Sequence, residues 1–120
     1  MKFFRAPDSS EAQTLDALLS TSSVATCAPI RAEIVSGAHT RRGFDRFREL
    51  FDGVVNLELP NDLWPRLEEH RFELAKHGYR TSIVDLMIAL TALAHRTALW
   101  TSDRDFTHMS PVIPITTFRP

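Results

Sequence analysis

Ser82-Ile83-Val84-Asp85-Leu86-Met87-Ile88-Ala89-Leu90-Thr91-Ala92-Leu93-Ala94-His95, followed after two residues by Ala98-Leu99-Trp100-Thr101-Ser102-Asp103-Arg104-Asp105-Phe106, is the stretch that decides how this chain folds. Its first part is apolar nearly all round, and Asp85 is the only charge between Ser82 and Ala94. Such a pattern predicts a helix buried on most sides. The second part opens as a short strand over 98–101 and passes into a turn with helical tendency over 103–108. Working back toward the N-terminus, Gly78 predicts the stop of a preceding helix that starts at an Asn61 or Asp62 cap, with Pro65 tolerated in its first turns. Gly53 and Pro60 bracket Val54-Val55-Asn56-Leu57-Glu58-Leu59, which predicts a strand. A helix over 41–52 places Phe44, Phe47, Leu50 and Phe51 on one side as candidate core. Before it, Pro29 opens a helix that runs to Gly37, and a short strand covers 24–27. A first helix over 9–20, capped by Asp8 or Ser10, buries Leu15, Leu18 and Leu19. A last strand is predicted at 112–115, on a sheet edge because Pro114 lacks a ladder donor. Helices alternating with short strands imply a parallel sheet flanked by helices, an α/β fold.

Composition narrows the function classes. The 120 residues suit one domain, and 43% hydrophobic with 24% charged residues is globular usage. Fourteen Lys and Arg against fifteen Asp and Glu give a net charge of −1, which argues against a general polyanion binder but not against a local nucleic-acid site. The single cysteine, Cys27, excludes an internal disulfide framework and fits a reducing cytoplasm. No apolar run approaches the roughly 20 residues of a membrane span, and residues 1–7 lack the apolar stretch of a signal peptide. The five histidines show no metal spacing, and the four glycines stand too far apart for a phosphate loop.

Carboxylates remain. In α/β sheets ligands bind beyond the carboxyl ends of the strands, so acids after strands and at helix starts matter most. Glu33 lies in the first half of the helix after the strand at 24–27, Asp85 in the first turn of the apolar helix, and Asp103 just past Thr101 with Asp105 close behind. Each has a plain alternative. Glu33 also reads as a solvated helix carboxylate, Ser82-Ile83-Val84-Asp85 as a capping box, and Asp103 and Asp105 as caps of the turn they begin.

Taken together, residues 81–106 resemble the C-terminal half of PIN-domain proteins, most closely the VapC toxins of bacterial VapBC toxin–antitoxin systems. Ala28-Pro29-Ile30-Arg31-Ala32-Glu33-Ile34-Val35-Ser36-Gly37 resembles the family's glutamate helix, and the resemblance covers essentially the whole chain. It implies a PIN-like three-layer α/β fold over a single domain, residues 1–120. It also implies that Glu33, Asp85 and Asp103 are catalytic and bind Mg²⁺ or Mn²⁺, with Asp105 a further ligand and Thr101 a supporting hydroxyl. Hard divalent cations take oxygen donors, and hydrolysis of RNA phosphodiesters is the implied reaction. Arg31 and Arg104, with Arg41 and Arg42, are candidates to hold RNA phosphates, and the loop Tyr79-Arg80-Thr81 to touch RNA, Tyr79 by stacking on a base. As solvated surface residues or as contacts to a partner protein, the same arginines read equally well.

One element of the family pattern is missing. Family members open with a strand ending in an Asp-Thr-Ser-like triplet, and here Met1-Lys2-Phe3-Phe4-Arg5 resembles the middle of the helix that follows it. The expectation is a chain that starts about ten residues late, without the central first strand and its metal-binding Asp. Two functions follow from the resemblance: a metal-dependent ribonuclease toxin neutralised by a VapB-like antitoxin and forming a homodimer, or a degenerate PIN domain that binds proteins without cleaving RNA. A receiver-like domain with an acidic Mg²⁺ site also fits the order of elements, but no phosphoacceptor Asp ends an early strand.

Overall fold

The computed structural model describes residues 24–101 and 104–118. The helix expected over 9–20, the reading of Met1 to Arg5, and Asp103 lie outside the described residues. Two compact units divide the chain, one ending at Leu57 and one beginning at Glu58.

In the first unit, β1 (Ala25–Thr26) leads through Cys27 into α1 (Ala28–Ser36), as Pro29 in the first turn predicts. Gly37 follows as the C-terminal cap, donating to the carbonyl of Glu33, while the next amide, of Ala38, donates to Val35. The next helix, α2 (Arg41–Asp52), is capped by Thr40, whose side chain accepts the backbone N–H of Gly43. That bond satisfies one of the donors every helix start leaves open. α1 packs on α2, and β1 pairs in parallel with β2 (Val55–Asn56) in the register Ala25 to Val55 and Thr26 to Asn56. The strand predicted over 54–59 is therefore shorter, and both its residues are exposed. On α2 the aromatic face is graded: Phe51 is buried, Phe44 and Phe47 are half-buried, and Leu50 is exposed at the rim. Phe44 is bracketed by the guanidinium groups of Arg41 and Arg48, 4.9 and 5.6 Å from its ring centre.

In the second unit, α3 (Leu63–Lys76) packs on α4 (Ile83–Ala94). Leu63, Leu67 and Leu74 form the buried stripe of α3, spaced as a helix requires. The buried face of α4 is far wider, taking in Leu86, Ile88, Ala89, Leu90, Thr91 and Ala92, as its all-round apolar sequence predicts. Asp62 stands at the N-terminal cap of α3 without a side-chain capping bond; its carboxylate lies 3.9 Å from Arg66 instead. β3 (Leu99–Trp100) follows α4 and pairs in parallel with β4 (Thr117–Phe118). Between them the short helix α5 (Asp105–Met109) is held by buried Phe106 and Met109.

The final strand differs from its predicted place at 112–115. The N–H of Ile115 bonds the carbonyl of Ile113 at 2.8 Å, closing a three-residue turn about Pro114. The fixed φ of proline suits the centre of such a turn. Ile113 is fully buried as a plug, and the ladder starts only where Thr116 accepts the N–H of Leu99 and Thr117 pairs with it.

Candidate active site

Asp85 owes its place to the start of α4. Ser82 is extended at the cap position and its Oγ accepts the backbone N–H of Asp85 at 3.0 Å. The capping interaction predicted for this pair thus exists through the backbone amide of Asp85, the residue whose carboxylate is the candidate ligand. That carboxylate is half-buried in the first turn, where the partial positive charge of the helix N-terminus favours an anion.

The approach to Ser82 is braced. α3 ends at Gly78, whose φ of +84° is the left-handed conformation glycine adopts at no steric cost. Gly78 donates to Ala75 and Tyr79 to Leu74, the paired bonds that close a helix end. Arg71 Nε then donates to the carbonyl of buried Thr81 at 3.2 Å. Between these fixed points the ring of Tyr79 stacks on His108 of α5, with centroids 4.9 Å apart and planes inclined by 17°. His108, like the other four histidines, shows no metal spacing in the sequence. The available signal was that His108 lies three residues beyond Asp105, on the same face of a helix.

Asp105 is the first residue of α5 and is exposed; Arg104 precedes it at the cap position without a side-chain capping bond, and is exposed too. Thr101 is half-buried directly after β3. Arg80 is exposed beside the braced loop. In the first unit, Glu33 is exposed on α1, and Arg31 is tied to Asp52 of α2 by a 2.7 Å ion pair. Arg41 pairs with Asp45 at 3.2 Å, while Arg42 is exposed.

The donor chemistry suits a hard divalent cation. Asp85 and Asp105 in the second unit, and Glu33 in the first, each carry carboxylate oxygens, the donor type such ions take. Among the described residues no three Asp, Glu, His or Cys side chains are gathered into a metal-holding group; Asp103 lies outside them. Cys27 is buried and free, and burial raises its thiol pKa against a lowering contribution from the backbone N–H of Ile30, so it is poorly suited to act as a thiolate ligand.

The family model for the PIN domain matches residues 2–110 of this sequence, running through both compact units. The chain belongs to the PIN-domain family. Among curated relatives, Ribonuclease VapC6 of Mycobacterium tuberculosis is 30% identical over 86 residues, covering 69% of this chain and 68% of that protein. Ribonuclease VapC17 of the same species is 30% identical over 94 residues, covering 76% of this chain and 71% of its own length. The α/β order of this PIN domain, with parallel strand pairs and an apolar α4 that carries Asp85 in its first turn, agrees with the fold expected from sequence. No helix among the described residues of the PIN domain is long and apolar enough to cross a membrane.

Proposed function

We propose that this PIN domain, read as a single domain across both units, is a metal-dependent endoribonuclease of the VapC toxin type. The observation that carries the reading is its similarity to two ribonucleases over more than two thirds of the chain. Glu33, Asp85 and Asp103 would hold Mg²⁺ or Mn²⁺, Asp105 would stand behind them, and Thr101 would supply a supporting hydroxyl. A bound divalent cation supplies a water of lowered pKa and neutralises charge that builds on the scissile phosphate. The chain's own part is to bind and orient. Arg104 and Arg80, both exposed near the carboxylates in sequence, are suited to hold RNA phosphates; these contacts fix position without reading bases. Arg31 carries a weaker claim because Asp52 already engages it. One ring face of Tyr79 is taken up by His108, so a base would stack on the other. The partners that go with this reading are a VapB-like antitoxin, which neutralises the activity, and a second copy of the chain. Its compartment is the cytoplasm.

The test is cleavage of total cellular RNA with Mg²⁺, with Mn²⁺ and with chelator, by the native chain and by Asp85→Asn and Asp103→Asn. Cleavage that needs the metal and falls roughly 100-fold or more in each variant is expected, since electrostatic stabilisation at the phosphate contributes several kcal/mol. Metal-dependent cleavage that survives both substitutions would refute the site. A native chain that binds a VapB-like antitoxin yet leaves RNA intact would instead make it a binding module.

A further inference from the structure

Three features go beyond the roles assigned above. The outer face of α3 exposes Trp64 and Phe72, the latter beneath Lys76 at 4.5 Å, but no observation says what covers it. α2 carries four arginines, yet Asp45, Glu49 and Asp52 lie among them on the same helix, so it is an ordinary amphipathic helix rather than a basic patch. The third feature, the stack of Tyr79 on His108, joins the two elements of the second unit that present candidate carboxylates, and it carries an argument.

α5 has five residues, and its buried anchors are Phe106 and Met109. These set which face of α5 turns inward. Asp105 and His108 are three residues apart, so they share a face. On that face the His108 ring lies flat against Tyr79. Tyr79 in turn belongs to a braced loop. It is the residue that donates to Leu74 to close α3, and two residues later Thr81 accepts from Arg71, just before the Ser82 cap that sets Asp85.

We propose that His108 is a positioning residue for Asp105: its stack on Tyr79 fixes the face of α5 that carries Asp105 against the loop leading into α4 and Asp85. The role in cleavage rests on the ribonuclease reading above; the positioning itself does not. Stacking needs an aromatic ring and no charge or metal coordination, so phenylalanine can replace either partner.

The experiment compares His108→Ala, His108→Phe, Tyr79→Ala and Tyr79→Phe in the full chain by three readouts. These are the backbone amide resonances of Asp105 and Asp85, binding of Mn²⁺ alone, and kcat and KM for RNA cleavage. His108 is exposed, so none of its variants removes core. In both alanine variants the Asp105 amide should move and Mn²⁺ affinity should weaken; in His108→Ala kcat should fall roughly tenfold at nearly unchanged KM, the size expected when a supporting contact around metal ligands is lost, while Tyr79→Ala, which also removes the base-stacking ring, should raise KM as well. The phenylalanine variants should restore all three readouts. An Asp105 amide that stays in place in His108→Ala, or a His108→Phe variant as impaired as His108→Ala, overturns the proposal. If the native chain neither binds Mn²⁺ nor cleaves RNA, the ribonuclease reading fails, and the amide resonances still decide whether the stack positions Asp105.

Discussion

Ser82 Oγ accepts the backbone amide of Asp85, so the cap bond and the Asp85 carboxylate can be removed by separate substitutions. Ser82→Ala should cost about 1 kcal/mol of stability, measured by urea unfolding, because the cap is lost. Asp85→Asn keeps the amide and should change stability by less than about 1 kcal/mol, the size of a helix-dipole contribution, while cleavage collapses. Equal destabilisation by the two would mean that Asp85 is structural only. His70 gives a second prediction. Desolvation, and after it the nearby Arg66, lowers its pKa from the usual 6.5. The folded state therefore releases this proton at a pH where the unfolded chain still binds it. The stability associated with neutral His70 is present above 6.5 and is lost as pH falls from there toward the lowered folded value. Urea midpoints measured across that window should slope upward with pH in the native chain and more gently in His70→Gln. An identical slope would remove His70 from the acid response.

α3 and α4 end in the same way with different residues. In both, the N–H two positions past the cap reaches back to the third-last helical carbonyl, Tyr79 to Leu74 and Thr97 to Ala92. The motif puts the residue between in the left-handed region, where α3 has Gly78 at +84° and α4 has Arg96 at +52°. A side chain there carries a steric cost that glycine avoids. Gly78→Ala should thus destabilise by about 1 kcal/mol, a purely conformational effect since nothing lies within 4 Å of an added Cβ. Arg96→Gly should stabilise by roughly 0.5 to 1 kcal/mol, raising the urea midpoint. If Arg96→Gly lowers it, the Arg96 side chain makes a contribution that outweighs its strain. Helix ends are legible in sequence when glycine marks them, as at Gly78; at Arg96 no residue type announced the motif. Strands were less legible than helices. Two-residue strands are too short to show alternation, and Pro114, whose missing donor suits a sheet edge, stands instead at the centre of a turn.

At the scale of the molecule, most of the described buried side chains of the unit beginning at Glu58 lie on α3 and α4. Leu90 is fully buried in the middle of α4. Leu90→Ala should cost roughly 2 to 5 kcal/mol, a large part of the 5 to 15 kcal/mol that holds a typical domain, and urea unfolding would show it. A loss well under 1 kcal/mol would mean that α4 is not central to the fold. The amino-acid order alone carried the α/β class, the spans of α1 to α4 within a residue or two, and the PIN-domain family. These follow from rules that act over one or two helical turns: apolar period, caps, Pro in a first turn, Gly at an end. The pairings of Ala25 with Val55 and Leu99 with Thr117, the late start of β4, the ion pair of Arg31 with Asp52 and the stack of Tyr79 on His108 came only from the folded chain. Each joins residues far apart in sequence, and the partner of such a contact is chosen by packing between elements rather than by any neighbour along the chain.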